Sequence, residues 1–237
     1  MRFTYLFSVI LFFVTAATGT QAEDRVLLDE SFSGDTIPEQ WKAGGRKKSF
    51  SVFEKALRGV ASAGDHHGPS IGIPIQGHDL SLDFDFKFAK PGYFLCLIDG
   101  DSQFGGQAHL LRFAVTKKQV QLMQDRGDTA SKREQKKARD QNGGKRIPPT
   151  KQQLADDSFY RIEPLAKHAI SVIDGDWHHV KIVLRGNRVM ASVDNQIFSG
   201  TGTVLDVKKT RLVFLVGQTA DIRIDNVRLL NLEKRKQ

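Results

Sequence analysis

Residues 79–88 read DLSLDFDFKF, and polar and apolar side chains alternate through all ten positions. In a strand, successive side chains point to opposite faces. Leu80, Leu82, Phe84, Phe86 and Phe88 therefore share one face, and Asp79, Ser81, Asp83, Asp85 and Lys87 share the other. A period of 3.6 would scatter the same residues around a helix. The period of two recurs along the chain. Val180, Ile182 and Leu184 alternate with His179, Lys181 and Val183, and Leu212, Phe214 and Val216 repeat the pattern. Further runs lie at 25–32, 49–60, 70–75, 93–100, 109–115, 119–123, 187–195 and 220–232. Roughly ten to twelve short strands follow, separated by Gly, Pro, Asn and Asp. Strands without intervening helices predict an all-β, antiparallel sandwich over 23–232. Pro74 favours a sheet edge for its strand, and Gly186-Asn187 marks a tight hairpin.

The two ends read differently. Arg2 precedes an apolar run at 5–18 that is short for a bilayer span, and Thr20-Gln21-Ala22 supplies small residues at a cleavage site. Residues 1–22 are expected to be a signal peptide, which makes the protein secreted or periplasmic, with no transmembrane segment after cleavage. Residues 233–237 form a charged tail. The single Cys96 excludes an internal disulfide and a cysteine-based metal site, and its apolar neighbours predict a buried thiol.

The segment 117–151 breaks the strand pattern. It carries eleven Lys/Arg against four Asp/Glu, a net +7 in a chain whose total is +8. Its centre is helical in propensity, with Ser131 and Glu134 at capping-box spacing and Asn142-Gly143-Gly144 as a stop. Only Ala130 and Ala138 are apolar there, so the helix has no face to bury. Residues 125–165 thus read as a basic, partly helical, solvated insertion. Lys132, Arg133, Lys136, Lys137 and Arg139 are its candidate polyanion contacts. Without interleaved aromatics it gives no basis for sequence-specific nucleic-acid binding.

The stretch GDWHHVKIVLRGNRVMASVDNQ (175–196), the closing IRIDNVRLL (222–230) and the opening LLDESFSGDTIPEQW (27–41) resemble the laminin-G-like, concanavalin A-like jelly roll. Within that group the chain is most similar to the 3-keto-disaccharide hydrolase domain family of secreted bacterial proteins. The resemblance implies a jelly-roll β-sandwich that binds carbohydrate or polysaccharide, neutral or acidic, on a concave sheet face and loops. It also implies an alternative, a glycoside-cleaving hydrolase; the charge of the insertion gives another, a polyanion- or envelope-binding structural protein acting through it. Members of the family show a Gly-aromatic-Glu-x-Gln stretch in mid-chain. The counterpart here is Ala108-His109-Leu110-Leu111-Arg112, which lacks both the acid and the amide.

Asp83 and Asp85 are the candidate catalytic pair. Side chains two apart on a strand lie roughly 6.5–7 Å apart, at the lower end of the spacing of an inverting glycosidase pair. Jelly-roll glucanases of the laminarinase type carry Glu-x-Asp-x-x-Glu on one strand. Either alignment of that motif here replaces its last acid with Phe86 or Phe88. The expectation is therefore a binding face made of Asp83, Asp85, His109, Arg112 and Trp41, with cleavage as the alternative. Trp177 and Trp41 read first as core plugs and second as sugar-stacking platforms. His66-His67 reads as loop surface. No cofactor is expected beyond a structural Ca²⁺, which the resemblance implies at Asp225 with Asp29 or Glu30.

Overall fold

The structure, a computed structural model, describes residues 24–44, 49–62, 68–145, 147–217 and 219–232. Residues 1–22, expected to be a signal peptide, the charged tail at 233–237 and His66-His67 lie outside the described residues. Fifteen strands and two helices are described. In chain order they are β1 (Arg25–Glu30), β2 (Lys42–Gly44), β3 (Phe50–Phe53), β4 (Ala56–Val60), β5 (Ser70–Gly77), β6 (Asp79–Lys90), β7 (Phe94–Asp101), β8 (Gln107–Val115) and β9 (Gln119–Arg126). Helices α1 (Thr129–Gln141) and α2 (Lys151–Ala155) follow. The chain then returns to strands β10 (Arg161–Ala169), β11 (His178–Arg185), β12 (Arg188–Val193), β13 (Gln196–Thr201), β14 (Lys209–Val216) and β15 (Asp221–Leu232).

The strands form two antiparallel sheets. One runs β13-β12-β11-β6-β15-β4-β3, with β1 also on β15, and the other runs β10-β9-β8-β7-β14-β5-β2. This is the expected jelly-roll sandwich, with more strands than the periodicity disclosed. Strands β10 and β13 end their sheets, and RIEPLAKHA and QIFSGT show little alternation because few of their residues face the core. Pro74 sits beyond the short β2, which pairs only with Ser70, Ile71 and Gly72 of β5. Its missing N–H therefore costs no ladder bond. Gly186 takes the positive φ that the β11–β12 turn requires.

The apolar rows of the two sheets meet in a single core. Phe84, Phe86, Phe94, Phe113 and Phe214 are all fully buried. Phe84 meets the rings of Phe94, Phe113 and Phe214 at centroid distances of 5.3–6.4 Å. Each such side chain contributes about 1.5–3 kcal/mol by leaving water. Trp41 lies in the same core, 4% exposed. Its ring sits 5.6 Å from Phe32 and 5.7 Å from Phe214. That corrects its place among the ligand contacts, since neither face is open to a sugar. Trp177 is corrected in the opposite direction, being 44% exposed. His178 is the inward residue, opposite Phe86. Parity then turns Trp177 outward, where Lys87 Nζ lies 4.9 Å from the ring centroid. Cys96 is buried, and burial pushes its thiol up, so it acts as a small hydrophobe.

Lys209 is the unexpected core residue. It is fully buried and donates to the carbonyls of His78 and Leu205. Burial holds its ammonium down at about 8, against the pull of Asp79 and Asp206. The folded pKa lies below the unfolded one, so the folded state binds fewer protons between them, and stability rises with pH across that window. Between about pH 8 and 10.5, the chain is expected to gain of order 1–3 kcal/mol relative to a Lys209→Met variant. Urea titrations of both proteins across that range check this, and parallel profiles would refute it.

Candidate functional site

The structure separates the residues expected to form one face. Asp83 and Asp85 lie on the outer face of the β6 sheet, whereas His109 and Arg112 lie on the outer face of the β7–β8 sheet. The two acids are answered by the neighbouring strand. Lys181 is opposite Asp83 and His179 opposite Asp85. Lys181 Nζ donates to Asp83 at 3.1 Å, and His179 Nδ1 lies 2.8 Å from Asp85. Asn226 donates to the other Asp85 oxygen at 2.7 Å. Opposite charges in register stabilise a sheet, and this pairing accounts for the two acids without catalysis.

Of the implied Ca²⁺ donors, Glu30 lies near enough to Asp225 for its carboxylate to act on it, and its Oε1 accepts from the Phe32 N–H. Asp29 is exposed and faces Arg228 at 4.0 Å. Asp225 stands opposite Asp85. Burial raises the Asp225 carboxyl, and the Asp85 and Glu30 carboxylates add to the rise against the Asn226 N–H. Among the described residues, the group that gathers three metal-type ligand atoms within 4.8 Å is His78, Asp79 and Asp206. The charge of Lys209 acts on both of those carboxylates from inside.

On the other sheet the alternation is interrupted. Leu111 pairs with Ile98 and His109 with Asp99, which leaves Leu110 as the extra residue of a β-bulge. Leu110 and Leu111 both enter the core. Without the bulge, parity would turn His109 inward; with it, His109 joins Arg112 and Asp99 on the outer face. Bulges re-aim side chains in this way. The apolar patch around them consists of Leu95, Leu97, Ala114 and Val213, with Met123 and Leu215 packed against it.

The basic insertion folds back over this face. Gly127 begins the turn at φ +93°, and a Cβ there would lie 2.5 Å from the backbone of Phe159 and Tyr160. Helix α1 is capped by Asp128, which accepts from the Ser131 N–H at 2.5 Å; the cap expected at Ser131 lies three residues earlier. As the composition predicts, α1 buries no residue. It is held by polar contacts instead. Gln135 Nε2 donates to the Tyr160 carbonyl at 2.7 Å, Tyr160 N donates to Ser131 Oγ at 2.9 Å, and Thr129 Oγ1 donates to the Gly105 carbonyl at 3.0 Å. Helix α2 was not foreseen; Thr150 and Gln153 close its capping box.

Asp125 ties insertion to sheet. Its side chain is 1% exposed. Arg112 donates to both of its oxygens, from Nε at 2.5 Å and Nη2 at 2.9 Å. Lys132 Nζ from α1 and the Tyr160 hydroxyl add bonds of 3.1 and 3.0 Å. Lys132 also lies 4.6 Å from the Tyr160 ring centroid. Burial pushes the Asp125 carboxyl up, but Arg112, with His109 and Lys132, outweighs burial and keeps it below the usual range. Burial and the Asp125 charge raise the Tyr160 hydroxyl, so it stays protonated. The third nitrogen of Arg112, Nη1, makes no hydrogen bond among the described residues.

Between sheet and insertion lies a cleft of about 1050 Å³. Tyr93, Leu95, His109, Arg112 and Leu215 line it from the sheet side, and α1, residues 147–149, Gln153 and residues 159–162 from the insertion side. Its lining carries six Lys/Arg (Arg112, Lys132, Arg133, Lys136, Arg139, Arg161) and no carboxylate among the described residues. Arg133 and Lys136 have no ion-pair partner among them. Of the five polyanion candidates, only Lys137 is absent from the lining. Tyr93, Asp99, Asp125 and Tyr160 escaped sequence reasoning. The double leucine in HLLRF, which cannot alternate, was the available signal.

No family model and no curated sequence matches the chain. The family-level resemblance to 3-keto-disaccharide hydrolases therefore rests on motifs alone, whereas the jelly-roll fold is shared with solved structures. One is the carbohydrate binding module CBM66 from Bacillus subtilis, with TM-score 0.53 and 10% identity over 81% of this chain and 96% of that one. Another is LamA of Zobellia galactanivorans in complex with laminaritriose and laminaritetraose, at 0.57 and 11%, covering 87% and 99%. A third is alginate lyase A1-II′, at 0.51 and 9%, covering 80% and 86%.

Proposed function

We propose that this protein is exported and binds an acidic polysaccharide in the cleft between the β7–β8 sheet and the basic insertion. The observation that carries this reading is the cleft lining, six cationic side chains without a carboxylate. The excess is partly neutralised from behind: one buried Asp125 faces both Arg112 and Lys132, Glu163 pairs with Arg161 and Asp140 lies 3.7 Å from Arg139, which leaves Arg133 and Lys136 without an ion-pair partner among the described residues. Cations on low-dielectric walls focus their field into a cleft and attract anions. Tyr93, Phe159 and Tyr160 add the apolar surface on which a sugar ring can lie. The names of the solved structures that share the fold support a glycan as the ligand class. The Asp83/Asp85 face supports it less well, since its acids are spent on His179, Lys181 and Asn226.

Calorimetry with polyuronate and laminarin oligosaccharides tests the reading. Polyuronate is expected to bind, with an affinity that falls as salt is added. The double variant Arg133→Glu/Lys136→Glu is expected to weaken binding about tenfold or more, equivalent to about 1.4 kcal/mol. Asp83→Ala is expected to change nothing. Equal affinity for laminarin, or an unaffected double variant, would overturn the assignment.

A further inference from the structure

Binding alone gives no reason for Asp99. Its side chain is 8% exposed, its carboxylate lies 2.6 Å from His109 Nδ1, and no other hydrogen bond reaches it among the described residues. Taking a carboxylate out of water costs several kcal/mol. The β8 bulge brings its one partner to the same face. A carboxylate behind Nδ1 fixes the tautomer and orientation of an imidazole and leaves Nε2 as the basic nitrogen. His109 lines the cleft beside Arg112. A cleft for anions thus contains an oriented proton acceptor.

The charge of the cleft selects among reactions. Glycoside hydrolysis passes through a positively charged, oxocarbenium-like sugar and uses two carboxyl groups. This lining has six cations and no carboxylate among the described residues, so it opposes that transition state. It favours one in which negative charge grows on the substrate. A uronic acid offers such a step, because its carboxyl group acidifies the neighbouring C5 hydrogen.

We propose that the cleft cleaves the acidic glycan it binds by β-elimination at a uronate, with His109 moving the proton; this rests on the binding reading above. His109 Nε2 takes the C5 hydrogen. The C5–H electron pair becomes the C4=C5 double bond, and the C4–O bond breaks with its pair leaving on oxygen. The imidazolium returns the proton to that oxygen. No water, oxidant or reductant is consumed. The products are an unsaturated uronate and a chain with a new hydroxyl. Arg112 Nη1, Arg133 and Lys136 compensate the charge that builds on the substrate carboxylate. Asp99 is a positioning residue. Because one imidazole takes and returns the proton, the C5 hydrogen and C4 oxygen lie on the same ring face. That geometry belongs to 4-linked mannuronate or glucuronate and not to guluronate.

The test incubates the full protein with polymannuronate, polyglucuronate and polyguluronate and follows the ultraviolet absorbance of the conjugated enoate. Product is expected from the first two only. His109→Ala and His109→Gln are expected to lower the rate about 10²–10⁴-fold, with calorimetric binding retained. Asp99→Asn is expected to lower the rate and alter the pH–rate profile without changing the melting curve much. A rate lost in Tyr93→Phe while calorimetric binding is retained would overturn the return of the proton by His109. Cleavage of polyguluronate alone would overturn the same-face assignment. Binding of mannuronate or glucuronate without enoate would overturn elimination and leave the binding reading standing, whereas absence of all polyuronate binding would overturn that reading itself.

Discussion

Asp125→Ala is expected to cost about 3–5 kcal/mol in chemical unfolding, because removing one partner of a buried ion pair leaves an uncompensated charge. Arg112 would lose both of its short hydrogen bonds, and Lys132 and Tyr160 would lose theirs. The same change should abolish polyuronate binding. Helix α1 buries no residue, so polar ties alone hold it against the sheet, and Asp125 joins α1 through Lys132 to both Arg112 of the sheet and the Tyr160 hydroxyl. A compensated variant separates the two effects. Arg112→Met/Asp125→Leu replaces the pair with apolar groups and should recover most of the stability, since such swaps are often neutral. It should not recover binding. An Asp125→Ala protein within about 1 kcal/mol of wild type would show that this network is dispensable.

Phe84→Ala is expected to cost about 3–5 kcal/mol, the range for deleting a buried aromatic side chain. Phe84 has no exposed surface and lies where the β6 row meets Phe94, Phe113 and Phe214 of the facing sheet. Close-packed surroundings on both sheets leave little room for collapse into the cavity. Asp83→Ala, one residue earlier, removes a partly exposed acid paired to Lys181 and should cost no more than about 1 kcal/mol. Equilibrium urea unfolding of the two variants checks the contrast. Similar losses from both would contradict the assignment of inner and outer faces along β6.

Those adjacent residues show how far the sequence could be read. The alternation in DLSLDFDFKF assigned each side chain to a face without reference to any other strand, because the strand period is local. The same parity could have placed Trp177 outside, since His178 precedes the alternating row that begins at His179. The broad likeness of Trp to core residues prevailed instead, and the fold reversed it. The basic insertion was legible as a helix without an apolar face, from its composition alone. Its role as a cleft wall was not, because Asp125, Arg112 and Tyr160 are far apart in the chain and meet only through the β8–β9 pairing and the Gly127 turn.

By itself, then, the sequence determined that this chain makes strands, which side of each strand is apolar, and that one segment carries nearly all the excess charge. These depend on near neighbours and on composition. Tertiary structure decided which carboxylates are neutralised and which sheet is left with an unbalanced, roofed surface. Asp83 and Asp85 met His179 and Lys181 across a strand boundary, while His109 was turned outward by one extra residue in β8. Charge balance and bulges are properties of strand pairing, and pairing joins residues that no local period relates.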